Sequence, residues 1–139
     1  MKPIKPIAYI FDIDGTLAKM DVRGPYDWGK VGGDRPNIPV VLVHSLLRRA
    51  GARTLIFSGR DSVCEKETRQ WLSDHNIEFD GLMMRPAGNT EKDCVVKKRM
   101  LDEARGAYCI MGVFDDRDQV VAMWREEGLT CFQVDYGNF

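Results

Sequence analysis

The chain has 139 residues, 44% of them apolar, and carries 20 Lys and Arg against 21 Asp and Glu. That length suits one compact domain spanning residues 1–139, with a core that needs no disulfide or metal staple, and the balanced charge argues against a surface that coats a polyanion. No apolar run is long enough to span a bilayer and residues 1–6 (MKPIKP) lack the apolar core of a secretion signal, so a cytoplasmic location without membrane attachment is expected.

The first element is expected at Ile7–Phe11, where the uninterrupted apolar run IAYIF reads as a strand buried on both faces. It stops at Asp12-Ile13-Asp14-Gly15-Thr16, which reads as the turn at the strand's C-terminal edge. Asp-x-Asp-Gly also opens calcium loops. Those need a preceding helix, oxygen ligands at alternate positions and a closing Glu, whereas here a strand precedes and Leu17, Ala18 and Lys19 come after. Residues 20–37 are rich in Gly, Pro and Asp and read as a loop without regular elements. Within it, Gly24 to Lys30 matches most of a nucleotide-binding G-x-x-x-x-G-K-[ST] pattern. Val31 replaces the metal-binding hydroxyl, no strand precedes and Gly32-Gly33 come next, so the match is coincidental and no kinase activity is expected.

Pro39 suits a helix start, and Val40, Val43, Leu46 and Leu47 recur at helical spacing until Gly51. A strand over 54–57 runs into Ser58-Gly59-Arg60-Asp61, and Asp61 or Ser62 caps a helix reaching about Asp74 with Trp71 and Leu72 inward. Residues 81–84 form a short strand. After a polar loop, Thr90 and Asp93 resemble a capping pair for a helix with Val96 and Met100 on its apolar face, closed by Gly106. A second long apolar strand, 108–114, ends on Asp115-Asp116, a helix over 118–127 turns Val121 and Trp124 inward, and 130–134 is the last strand.

Strands alternate with helices throughout. The expected fold is therefore α/β, one Rossmann-like parallel sheet of about five strands with helices on both faces, in which right-handed crossovers allow the first strand to lie between the second and the fourth. Cys64, Cys94, Cys109 and Cys131 form no C-x-x-C pair and read as reduced thiols used as small apolar residues, and His44 and His75 read as surface residues.

Parallel strands present their C-terminal ends on one edge, where ligands bind in open α/β sheets. Asp12/Asp14, Ser58-Gly59-Arg60 and Asp115/Asp116 all fall there, and Asp93 and Lys97, spaced i and i+4, share one helix face. Asp-x-Asp-Gly-Thr after a strand, with the other three signatures next in order, resembles the haloacid dehalogenase (HAD) superfamily. The stretches FDIDGTLAKM, RGPYD, SGR, KDCVVK, DDRDQVVAMWR and QVDYGNF resemble more narrowly the 3′-phosphatase domains of phage-type polynucleotide kinase/phosphatases, over essentially the whole chain.

The resemblance implies a phosphohydrolase acting on 3′-phosphorylated ends of DNA or RNA. Asp12 attacks phosphorus and Asp14 is the general acid and base. Magnesium is expected among Asp12, Asp14 through its backbone carbonyl, Asp115 and Asp116, while Ser58 and Lys97 stabilise the transferring group. Asp93 supports Lys97. Arg23, Thr16, Gly59 and Arg60 are expected to contact substrate, with Lys19, Lys30 and Arg35 as further candidates for the rim. Neither gap after the first two signatures is long enough for a large cap, so the site should be open enough for the end of a strand. A small-molecule phosphatase acting on nucleoside monophosphates would share every catalytic residue and is the alternative. A phosphoacceptor signalling module would lack Asp14. The phosphohydrolase reading is compatible with a homo-oligomer.

Overall fold

The computed structural model describes residues 4–19 and 28–139. Its elements in chain order are β1 (Ile7–Phe11), β2 (Ala18–Lys19), a 3-10 turn (Trp28–Gly33), β3 (Arg35–Pro36), α1 (Ile38–Arg49), β4 (Arg53–Asp61), a 3-10 turn (Ser62–Cys64), α2 (Glu65–Asp74), β5 (Gly81–Arg85), α3 (Asp93–Ala104), β6 (Cys109–Asp115), α4 (Asp118–Glu126) and β7 (Cys131–Gln133). Five strands form one parallel sheet in the order β5-β4-β1-β6-β7. The strand that carries the first acids thus lies at the centre, between the second and fourth long strands, an order that right-handed crossovers allow. No cap domain is present among the described residues, and no helix among them is long and apolar enough to cross a membrane.

Side chains alternate across each strand, and this period of two sorts the core into two layers. Ala8, Ile10, Leu55, Phe57 and Val113 pack with Val96, Met100 and Leu101 of α3 and Val120, Val121 and Trp124 of α4. Phe11, Ile56 and Phe114 face the other way, onto Val40 of α1 and Trp71 and Leu72 of α2. Continued past the apolar runs, the same alternation turns Asp12 and Asp115 toward α3 and α4, and Ser58 and Arg60 toward α2.

Several local expectations need correction. β4 does not stop at Phe57 but runs through Ser58-Gly59-Arg60 to Asp61, with a shift of register against β5 between Ser58 and Asp61. Such irregularities re-aim side chains beside functional sites. The supposedly irregular 20–37 contains the 3-10 turn and β3, which pairs antiparallel with β2. Tertiary contacts rather than local periodicity hold this segment: Val31 is buried, and the Trp71 indole donates to the Asp34 carbonyl at 2.8 Å. In α1 the inward face is Val40, His44 and Leu47, while Val43 and Leu46 are exposed, because the helix carries more apolar residues than the sheet can cover. His44 is therefore a core residue, packed edge-on against Phe11 at 4.9 Å, and His75 is half-buried against Trp71. α3 begins at Asp93 behind Lys92, without a side-chain cap from Thr90. All four cysteines are free; Cys64 and Cys131 are buried and Cys109 is exposed.

Candidate active site

At the C-terminal edge of the sheet lies an open cleft of about 760 Å³, lined by Asp12, Asp14, Gly59, Asp93, Asp115 and Asp116 together with Arg85, Lys92, Arg117 and Phe139. Its floor is the turn after β1. The Asp12 N–H donates to Phe114 O of β6 at 3.0 Å, tying the start of the turn to the next strand. Gly15 adopts φ +81°, and a Cβ there would overlap the Asp116 carboxylate, so only glycine lets the two acidic loops approach.

Asp12 and Lys97 form the centre. Lys97 Nζ donates to Asp12 Oδ1 at 2.7 Å and to Asp115 Oδ2 at 3.1 Å, and lies 3.6 Å from Asp93 one helical turn back. Thr16 Oγ1 donates to Asp12 Oδ2 at 3.1 Å, and the Trp124 indole donates to Asp115 Oδ2 at 3.1 Å. Burial works against the charge on Lys97, but Asp115, Asp12 and Asp93 together outweigh it and hold the ammonium well above its usual range.

Asp12, Asp115 and Asp116 each offer a carboxylate oxygen within 4.8 Å of the others. Burial, then the neighbouring charge of Asp115, raises the Asp116 pKa to about 6. Packed hard oxygens that resist carrying their joint charge fit a hard divalent cation such as magnesium, which these three residues would hold. The Asp14 carboxylate is not part of this cluster.

Asp14 instead faces the opposite layer. Arg60 Nη2 donates to Asp14 Oδ1 at 2.6 Å and Arg60 Nε to both Asp14 oxygens at 3.1 and 3.2 Å, while the same guanidinium reaches Asp34 Oδ2 and Thr68 Oγ1, each at 3.1 Å. Asp14 still lines the cleft beside Asp12.

The predicted site residues thus divide into those that meet the cleft and those that act behind it. Asp12, Asp14, Gly59, Asp93, Asp115 and Asp116 line it, and Lys97 reaches Asp12 from beneath. Arg60, expected at the substrate, is 1% exposed and engaged by Asp14 and Asp34. Thr16, expected to contact substrate, is buried and points at Asp12. Ser58 is buried and accepts the Arg60 N–H at 3.1 Å, a bond that leaves its hydroxyl hydrogen able to donate. Arg23 lies outside the described residues, as does the side chain of Lys30.

Sequence reasoning misses the cations that do reach the cleft. Arg85 donates from Nε to Gly59 O at 2.8 Å and from Nη1 to Asn89 Oδ1 at 3.1 Å, and pairs with Asp93 at 3.4 Å; Arg117 approaches Asp93 at 3.7 Å. Arg85 stands at the end of an apolar strand, on the same sheet edge as the acids, which is the signal that could have found it. Asp34 has no such signal, since nothing periodic surrounds it.

Comparison with known proteins bears on this arrangement. Residues 6–139 match the family model described as the polynucleotide kinase PNKP phosphatase domain. A protein of Autographa californica nuclear polyhedrosis virus, provisionally named a bifunctional polynucleotide kinase/RNA ligase, is 36% identical over 141 residues, covering 96% of this chain and 20% of its own length. Chains from a Pnkp1/Rnl/Hen1 complex and from a Pnkp1/Rnl/Hen1 RNA repair complex each superpose with a TM-score of 0.94 at 39% identity, over 97% of this chain and 48% and 44% of theirs. The chain therefore spans about half the length of these solved relatives and a fifth of the viral one. With a match across almost its whole length, the chain belongs to the PNKP phosphatase-domain family of HAD-type phosphatases.

Proposed function

We propose that the chain removes the terminal phosphate from 3′-phosphorylated nucleic-acid ends, with magnesium as cofactor and a phosphoaspartate on Asp12 as intermediate. The observation that carries this reading is the Asp12–Lys97 pair, 2.7 Å apart, at the floor of an open cleft that also contains Asp14. Asp12 Oδ attacks phosphorus, the P–O3′ bond breaks, and the departing oxygen takes a proton from Asp14. Asp14 then takes a proton from a water whose oxygen attacks the phosphoaspartate, the P–Oδ bond breaks, and inorganic phosphate leaves with Asp12 restored. Magnesium, when held by Asp12, Asp115 and Asp116, supplies positive charge that lets an anionic nucleophile meet an anionic phosphoryl group. Lys97 contributes a fixed positive charge at Asp12, preorganised by Asp93 and Asp115.

The cleft mouth favours a polymer end over a small substrate. Arg85, Lys92 and Arg117 supply cations at the rim, and no cap among the described residues encloses the site. The relatives' names include an RNA ligase and an RNA repair complex, which supports RNA ends as the substrate: a 3′-phosphate must be cleared before a 3′-hydroxyl can be joined. The test is a rate comparison with magnesium on oligoribonucleotides and oligodeoxyribonucleotides carrying either a 3′- or a 5′-phosphate, beside free mononucleotides. Release only from 3′-phosphorylated oligonucleotides is expected. Faster release from free nucleoside monophosphates would replace this reading with a small-molecule phosphatase.

A further inference from the structure

Residues 134–139 fold back across the loop that carries Asp115 and Asp116. Val134 N–H donates to Asp115 O at 3.1 Å, Gln133 Nε2 donates to Asp116 O at 3.0 Å, and Asp118 N–H donates to Gly137 O at 2.8 Å. The approach at 137 is so close that a Cβ there would overlap the Asp116 carbonyl oxygen and stand 2.6 Å from Arg117 Cα. This strap fixes the position of Phe139 relative to the acids.

The Phe139 backbone oxygen accepts from Arg117 Nε at 2.7 Å and from Gln119 Nε2 at 3.3 Å, and the Arg117 guanidinium lies 4.9 Å from the centre of its ring. Phe139 is the only aromatic residue among the described residues that line the cleft, yet it is 56% exposed. An aromatic ring left this accessible gains little from folding, while its backbone is held by the bonds to Phe139 O and by the Phe139 N–H donating to Gly137 O at 2.9 Å. Contacts run without a gap from it to the nucleophile: Phe139 to Arg117, Arg117 to Asp93 at 3.7 Å, Asp93 to Lys97 at 3.6 Å, and Lys97 to Asp12.

An exposed ring with an adjoining guanidinium, held at the mouth of a phosphate site, matches the chemistry of a nucleobase, whose flat face stacks on aromatic rings and whose strand is drawn by cations. Resting on the function proposed above, we propose that Phe139, supported by Arg117, is the platform on which the base of the phosphorylated terminal nucleotide stacks. Phosphate at Asp12 fixes one end of that nucleotide and Phe139 fixes the other. Stacking of this kind tolerates any base, so the site reads the presence of a base rather than its identity.

The test uses two oligonucleotides that differ only at the phosphorylated 3′ end, one with an ordinary nucleoside and one with an abasic sugar. The parent protein should show a KM about tenfold lower for the base-bearing end, the lower part of the range for stacking a single base. Phe139→Trp should keep that preference, while Phe139→Leu and Phe139→Ala should bring the ratio of the two KM values close to one. The main-chain bonds to Phe139 O remain in all three variants, and their melting temperatures check that the strap is intact. A parent that hydrolyses both ends with equal KM overturns the platform and leaves the phosphatase reading standing, as does a Phe139→Leu variant that retains the full preference. A parent inert on both ends overturns the two readings together.

Discussion

Two buried cations serve two carboxylates that stand two residues apart in the chain, and they do so in different ways. On the α3 side of the sheet, Lys97 places one ammonium among Asp12, Asp93 and Asp115. On the α2 side, Arg60 spreads its fork over Asp14, Asp34 and Thr68. An ammonium is a compact charge that neutralises whatever surrounds it, whereas a guanidinium imposes a plane and a direction. Asp12 is thus supplied with positive charge, and Asp14 with aim. That division suits a nucleophile that must approach an anionic phosphoryl group and an acid/base that must move a proton along one line.

Removing the proposed nucleophile breaks the comparison most severely. Asp12→Asn should lower the rate on every phosphate monoester by more than about a thousandfold, on good and poor leaving groups alike, in steady-state phosphate release. Arg60→Lys keeps the buried charge but loses the fork. It should cost about ten- to a hundredfold on a 3′-phosphorylated oligonucleotide and much less on an activated aryl phosphate, because a misaimed Asp14 matters only where the leaving oxygen needs a proton. Equal losses on the two substrates would mean that Arg60 acts on the fold and not on Asp14.

A third buried base sharpens the contrast through stability. His44 lies on the same face as Arg60, but among the described residues its Nε2 has no hydrogen-bond partner, and burial, then the charge of Arg48, lowers its pKa from 6.5 to about 4. The folded protein therefore holds it neutral where the unfolded chain takes up a proton. Stability should be complete above pH 6.5 and fall as the pH drops toward 4, by at most about 3 kcal/mol from this group. Melting temperatures of His44→Leu measured across that window should show a flatter slope than those of the parent; an unchanged slope would assign the acid sensitivity to other groups.

Much of this architecture is legible in the sequence. Apolar runs ending in acids mark β1 and β6 and the edge they share, and the i, i+4 spacing of Asp93 and Lys97 places both on the face where they meet Asp12. The features that escape it depend on distant contacts. Asp34 sits in a segment without periodicity and gains its role only when Arg60 arrives from β4. Arg60 reads as a substrate contact because sequence places it at the edge but does not reveal that Asp14 and Asp34 close around its guanidinium. His44 reads as a surface residue because the apolar stripe of α1 is wider than the part that the sheet covers. Phe139 closes the stretch QVDYGNF, which carries the resemblance but no periodicity that would place the ring, and its position at the cleft depends on the contact of Gly137 with Asp116.

The division of labour between Asp12 and Asp14 is tested most directly by trapping. An Asp14→Asn variant, given an aryl phosphate labelled in its phosphoryl group and quenched in acid after a few seconds, should retain label on the protein, and peptide mapping should place it on Asp12, since the first step needs little proton donation with that leaving group while the second lacks its base. Label absent from the protein while labelled phosphate is still being released, or found on a residue other than Asp12, would contradict the account.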